Sequence, residues 1–209
     1  MFTHDSETQS SMTPEKALEL LKQGNERFRN NLRANRDTMG QIQITSHGQW
    51  PCAVVLSCID SRVSSELVFD QGIGAIFSAR VAGNFVNEDI LGSMEYGCKV
   101  AGSKLVVVLG HRHCGAVKGA CDQVELGNIT SMLSKITPAV EAVKDPTDPE
   151  KRNSGNEEFV EAVAKRNVEM TLAAIRERSE ILREMEAAKE IQIVGAMYDV
   201  ESGWVNFLD

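Results

Sequence analysis

Four apolar runs of strand length punctuate the chain, and between them the apolar positions recur at helical spacing. Pro51-Cys-Ala-Val-Val-Leu-Ser57 is the first, Ala75 to Ala79 the second, Leu105-Val-Val-Val-Leu109 the clearest, and Ile191-Gln-Ile-Val-Gly-Ala-Met197 the fourth. They are close to continuous rather than alternating, the pattern of strands covered on both faces. Glu201-Ser202-Gly203 then supports a tight turn into a short final strand, Trp204 to Leu208. Strands separated by helices define an α/β class: an open, mainly parallel four- or five-stranded sheet flanked by helices.

The helices have their own signals. Thr13-Pro14-Glu15 offers an N-cap, a proline in the first turn and an acid beside it. The stripe Ala17, Leu20, Leu21, Gly24 and Phe28 extends that helix into an N-terminal arm, which needs a surface to lie on: its own core or a second subunit. Shorter helices are expected over Asp37–His47 and Ser64–Phe69, and longer ones over Asn87–Val100, Cys114–Leu126, Ile129–Val143 and Ile181–Ala188. Val160, Val163, Ala164, Asn167, Val168, Thr171, Ala174 and Ile175 form the longest stripe. Residues 1–12 are polar and read as a mobile tail, 144–156 as a surface loop, and 13–209 as a single domain.

Composition narrows the partners. At 209 residues, 42% hydrophobic and 25% charged, the chain suits one soluble core. A net charge of -8 argues against nucleic acid or an anionic membrane surface, since both need clustered positive charge. No apolar run approaches membrane-spanning length, and the N-terminus lacks the basic-then-apolar pattern of a secretory signal. Five cysteines, an odd number in a chain too large to need staples, point to reduced thiols and a cytoplasmic location.

Two stretches at strand ends carry the chemistry. Ser57-Cys58-Ile59-Asp60-Ser61-Arg62 follows the first strand, and Gly110-His111-Arg112-His113-Cys114-Gly115 follows the third. Ligands gather beyond the carboxyl ends of strands in such sheets, so Cys58, His111 and Cys114 can meet there. Two thiolates and an imidazole suit tetrahedral Zn2+, with a fourth position left for water or for Asp60. Asp60 and Arg62 lie two apart, and arginine's fork can hold the carboxylate ionised and oriented. Asp60 then either aims an attacking nucleophile or closes the site as fourth ligand. A structural, catalytically inert zinc site is the plainer alternative. Gly72-Ile-Gly74 lacks the rest of a phosphate loop and reads as a turn. Cys52, Cys98 and Cys121 fall within apolar patterns and read as core.

Cys58-Ile-Asp60-Ser61-Arg62 followed by Gly110-His111-x-x-Cys114-Gly115 resembles the β-class carbonic anhydrases, with Arg80-Val-Ala-Gly-Asn84 and Met197-Tyr198-Asp199-Val200 adding to the likeness. The resemblance implies zinc held by Cys58, His111 and Cys114, an Asp60–Arg62 catalytic dyad, and reversible hydration of carbon dioxide. It further implies substrate binding by Gln49 and the Gly115 amide, and a cleft lined by Phe77, Ala82 and Tyr96, part of it donated by a partner in a homodimer or dimer-based tetramer. Arg80 and Tyr198 match two members of the bicarbonate pocket of a pH-switched subgroup, but Val55 stands where that pocket has tryptophan, so the inhibitory site is expected to be absent. Arg112-His113 departs from the small or hydroxyl-bearing residues of the family between the ligands. His113 is either a proton shuttle or a surface imidazole. Relatives of this family hydrolyse carbonyl sulfide or carbon disulfide at the same zinc site, which is the alternative function.

Overall fold

The computed structural model describes residues 5–208. The N-terminal stretch departs from the expected mobile tail: α1 (Ser6–Ser10) is a short helix closed by a reciprocal capping box between Asp5 and Thr8. Its Gln9 amide donates to the carbonyls of Pro51 and Ala101, each at 2.8 Å, and so docks the segment at the amino end of the sheet. Polarity alone conceals this, because the anchor is a side-chain amide rather than an apolar contact. Residues 1–4 of that expected tail lie outside the described residues.

The arm is α2 (Pro14–Arg29), capped by the Thr13 hydroxyl, with Ala17 and Leu21 buried. Gly24 is required there, since a Cβ would stand 1.8 Å from the Phe69 carbonyl oxygen. Buried Asn25 donates to the carbonyls of Val68 and Gly203 and accepts from the Val205 amide, which joins the arm to distant parts of the chain. After α3 (Thr38–Thr45) come β1 (Ala53–Ser57), α4 (Ser65–Val68), β2 (Ile76–Arg80) and α5 (Glu88–Glu95), the last continued by a π-helical turn at Tyr96–Val100.

Then follow β3 (Leu105–His111), α6 (Gly115–Cys121), α7 (Gly127–Leu133), α8 (Thr137–Ala142), α9 (Glu157–Arg178), α10 (Glu180–Ala187), β4 (Gln192–Tyr198) and β5 (Val205–Phe207). The helix expected over Ile129–Val143 is thus two helices. Pro138 gives the reason: it has no N–H to donate, and its ring conflicts with the carbonyl four residues earlier in a continuous helix.

The five strands lie in the order β2-β1-β3-β4-β5, the first four parallel and β5 antiparallel to β4. Alternate residues of the continuous apolar runs feed two cores. Val55, Val107 and Leu109 face Ala17, Leu21 and Phe69; Val54, Leu56, Val106 and Val108 face Leu91, Met94, Val168, Ile175 and Leu182. A third cluster, with Phe85, Val117, Ile136, Phe159 and Val163, includes Cys58 and Cys114.

Asp70, 2% exposed, anchors the segment after α2. It pairs with Arg27 at 2.6 Å and Arg36 at 2.5 Å and accepts the Ala34 amide at 3.2 Å. Burial raises its pKa, but those hydrogen bonds from Arg36, Arg27 and Ala34 outweigh it and hold the carboxyl below its ordinary value. Among the described residues, no helix is long and apolar enough to cross a membrane.

Candidate metal centre

The sheet order reverses direction at β1: the chain moves from β1 outward to β2, then returns to place β3 on the other side of β1. The crevice beyond the carboxyl ends of such a pair is where open α/β sheets bind ligands. Cys58 leaves β1 there, His111 ends β3 and Cys114 caps α6. In register, Ser57 stands beside Leu109, so the two ligand-bearing segments emerge side by side.

All three side chains are buried, and their ligand atoms lie within 4.8 Å of one another. The Sγ atoms of Cys58 and Cys114 are 3.9 Å apart. Two sulfurs on a tetrahedral zinc at ordinary Zn–S distances would stand about 3.8 Å apart. His111 Nδ1 lies 2.8 Å from the Arg112 carbonyl, which can only accept, so Nδ1 carries the proton. That leaves Nε2 with a lone pair, buried and without a hydrogen-bond partner. An orphaned imidazole nitrogen beside two thiols fits a metal, and the donor set is that of a borderline-soft ion.

The thiols are electrostatically unequal. A hydrogen bond from Cys114, against the opposing effect of burial, pushes Cys58 well below the ordinary thiol range, and the Gly83 N–H adds to it. The same pairing raises Cys114. The Gly83 N–H donates to Cys58 Sγ at 3.4 Å, and Cys114 stands where the positive end of α6 favours a thiolate.

Asp60 and Arg62 form a bidentate pair: Nε to Oδ1 at 2.9 Å and Nη2 to Oδ2 at 2.7 Å, with the Arg62 amide also on Oδ1 at 2.9 Å. Hydrogen bonding by Arg62 lowers the Asp60 pKa to about 2, so the carboxylate is ionised at neutral pH. Both its oxygens are engaged by Arg62, and among the described residues Asp60 is not part of the cluster of Cys58, His111 and Cys114. Arg80 supports this segment by donating to the carbonyls of Cys58 at 3.0 Å and Asp60 at 2.7 Å.

The Arg112-His113 pair between the ligand positions is tied down by acids. Arg112 reaches Glu157 at 2.8 Å, Glu201 at 3.4 Å and Asp199 at 3.6 Å, and also bonds Glu161. His113 adopts a left-handed φ of 55°, its Nε2 3.1 Å from Glu201 and 3.4 Å from Glu157, while its carbonyl accepts from Arg62 Nη2 at 3.3 Å. Nothing in the sequence near residue 112 announces these partners, which come from α9 and the β4–β5 turn. A cleft of about 890 Å³ lined by Arg112, Asn153, Glu157 and Glu161 opens here, on the acid-rich side of the ligand loop.

Of the expected cleft residues, Ala82 precedes Gly83 beside Cys58, and Gly115 follows Cys114 with open space where a side chain would be. Its amide is one of the first-turn donors for which a helix supplies no carbonyl. Phe77 lies midway along β2 and packs edge-on against Tyr96, ring centres 6.2 Å apart, in a groove of about 700 Å³ with Val54, Ala79 and Ile90. Gln49 is exposed and precedes β1, whose residues separate it from the ligands by roughly 16 Å of strand. A single chain therefore does not bring Gln49, Phe77 or Tyr96 onto its own ligand cluster. Gly83, which lies in the Arg80-Val-Ala-Gly-Asn84 stretch noted in the sequence, donates to Cys58 Sγ, and Asn167, which the sequence marked only as part of a helix stripe, bonds the Gly83 carbonyl.

Comparison with known proteins agrees with this geometry. The carbonic anhydrase family model matches residues 53–205. Carbonic anhydrase 2 of Mycobacterium tuberculosis is 35% identical over 91% of this chain and 90% of its own length. The carbonic anhydrase of Mycolicibacterium smegmatis is 34% identical over 92% of each. Among solved structures, the β-carbonic anhydrase CcaA superposes with a TM-score of 0.71 at 26% identity, covering 92% of this chain and 95% of that one. The Aspergillus fumigatus enzyme CafA gives 0.73 at 25% identity, covering 82% and 81%. A carbon disulfide hydrolase of an Acidianus strain is 28% identical over 71% of this chain and 72% of its own length. The chain belongs to the β-carbonic anhydrase family, lyases of reversible carbon dioxide hydration.

Proposed function

We propose that this chain hydrates carbon dioxide at a zinc ion held by Cys58, His111 and Cys114, with Asp60 and Arg62 as its catalytic dyad. The observation that carries the reading is the three-ligand cluster beside a carboxylate already committed to arginine, which leaves a fourth position on the ion. A bound zinc would supply the Lewis acidity that makes water nucleophilic near neutral pH. Asp60, kept ionised by Arg62, accepts a hydrogen bond from the attacking water and so orients its lone pair. The Gly115 amide donates to a substrate oxygen. The bicarbonate product and one proton then leave to solvent.

Gln49, Phe77 and Tyr96 fit this scheme in a homodimer, or a tetramer built from it, with one chain's residues completing its neighbour's cleft. In support, β2 is an uncovered sheet edge, and Met39, Ile42, Ile59, Ile73, Tyr96 and Val100 are exposed apolar side chains. Reduced cytoplasmic surroundings suit the five buried, unpaired cysteines.

The test is stopped-flow turnover on carbon dioxide, run in parallel with carbonyl sulfide and carbon disulfide, together with metal analysis. One zinc per chain and turnover on carbon dioxide exceeding that on the sulfur analogues are expected. The Acidianus relative makes the reverse preference the second reading, and that result would replace carbon dioxide as substrate. Asp60→Asn should keep its zinc while kcat falls about 10²- to 10³-fold, the scale of removing one oriented polar group from a reacting centre. Unchanged kcat would remove Asp60 from the mechanism.

A further inference from the structure

Asn167 is the sole carboxamide in the apolar stripe of α9, and it is 3% exposed. A buried amide on such a face is costly unless its hydrogen bonds are made. Its Nδ2 donates to the Gly83 carbonyl at 2.8 Å, across 84 residues of sequence. The N–H of that same glycine points the other way, to Cys58 Sγ at 3.4 Å. A helix on one face of the sheet is thereby connected through a single residue to a ligand sulfur.

Gly83 is the kind of residue that needs such a hold. It sits at φ +82°, in the left-handed region, and a Cβ there would stand 2.4 Å from Ile136 Cδ1. The positive φ favours glycine, yet glycine is also the residue whose flanking peptides rotate most freely. Its neighbour Asn84 is left-handed as well, with φ 43°, so the local turn does little by itself to select one peptide orientation. The bond from Asn167 fixes the carbonyl side of Gly83, and the N–H side is then held toward the sulfur.

A metal thiolate that accepts an N–H bond gives less charge to its ion, and outer partners of this kind tune both affinity and reactivity. The effect matters more in a site with two thiolates, whose charges already cancel that of a divalent ion. We propose that Asn167 is a positioning residue for the metal centre: it aims the Gly83 N–H at Cys58 Sγ and so sets how strongly that thiolate donates to the ion. This rests on the metal reading above, and metal analysis of the unaltered protein separates the two. If the wild type takes up no divalent metal, the underlying reading fails.

The probe is cobalt(II), whose thiolate charge-transfer band reports sulfur donation and whose ligand-field bands report tetrahedral geometry. In Asn167→Leu, which fills the space without a donor, the charge-transfer band should move to longer wavelength while the ligand-field bands stay tetrahedral. Cobalt affinity against a competing chelator should fall about tenfold. Ile175→Val, a core deletion farther along the same helix in the cluster that contains neither Cys58 nor Cys114, should leave the band where it is. Asn167→Ser provides the same comparison if the leucine variant does not fold. In the unaltered protein loaded with cadmium-113, the Gly83 amide proton should show coupling to the metal through the N–H···S contact. A band unmoved in cobalt-loaded Asn167 variants, or no cadmium coupling at Gly83, overturns the proposal.

Discussion

Cys58→Ser should abolish both metal binding and carbon dioxide hydration. Serine's hydroxyl is a poor ligand for a borderline-soft ion and stays protonated where the thiol ionises. Loss of even an outer partner costs about 10- to 100-fold in metal affinity, so loss of a ligand should exceed that. The expected measurements are near-zero zinc after dialysis and turnover at the buffer background. The fold should persist, since β1, β2, β3 and β4 are held by ladders and cores that do not include the Cys58 side chain. A variant retaining stoichiometric zinc and full turnover would refute the ligand assignment.

Asp70→Ala should be strongly destabilising although it lies outside the metal centre. It removes the carboxylate shared by two part-buried arginines, Arg27 at 24% and Arg36 at 13% exposed, and leaves alanine in a left-handed backbone conformation at φ 45°. A loss of about 3 kcal/mol in urea unfolding is expected, the low end for breaking a buried pair because the arginines retain some water. The pH dependence follows from the depressed carboxyl of Asp70. Its contribution is complete above the unfolded aspartate value of about 4 and is lost as pH falls through the lower folded value. Between pH 5 and 7 this group adds no slope. Asp70→Asn should remove its part of the acid-limb slope, and an unfolding free energy within about 1 kcal/mol of wild type for Asp70→Ala would contradict the anchoring role.

The central strands were legible because the apolar runs of β1 and β3 sit between two cores, so nearly every position there must be hydrophobic. The meeting of Cys58, His111 and Cys114 and the pairing of Asp60 with Arg62 were legible because these residues lie in two short segments, each at the end of such a run. Other features depend on contacts that local sequence does not carry. The hold of Asn167 on Gly83 spans 84 positions, and Arg112 meets its acids 45 to 89 positions later. Gln9 docks a polar segment onto backbone carbonyls, where hydropathy registers nothing. Pro138 was a visible signal, and it divides a helix that periodicity alone would have kept whole.

The described residues after Cys114 add no side chain to the cluster of Cys58, His111 and Cys114, yet they hold that cluster in place. The Arg112 amide bonds the Tyr198 carbonyl, the Arg112 guanidinium is held by Glu157, Glu161 and Glu201, and Asn167 reaches the turn at Gly83. β4 also covers the edge of β3 that carries His111. A ribosome that has released all three ligand residues has therefore not yet produced a site. The centre matures only when the last strands emerge, so a premature stop in the final third would delete the metal chemistry while sparing every residue that performs it.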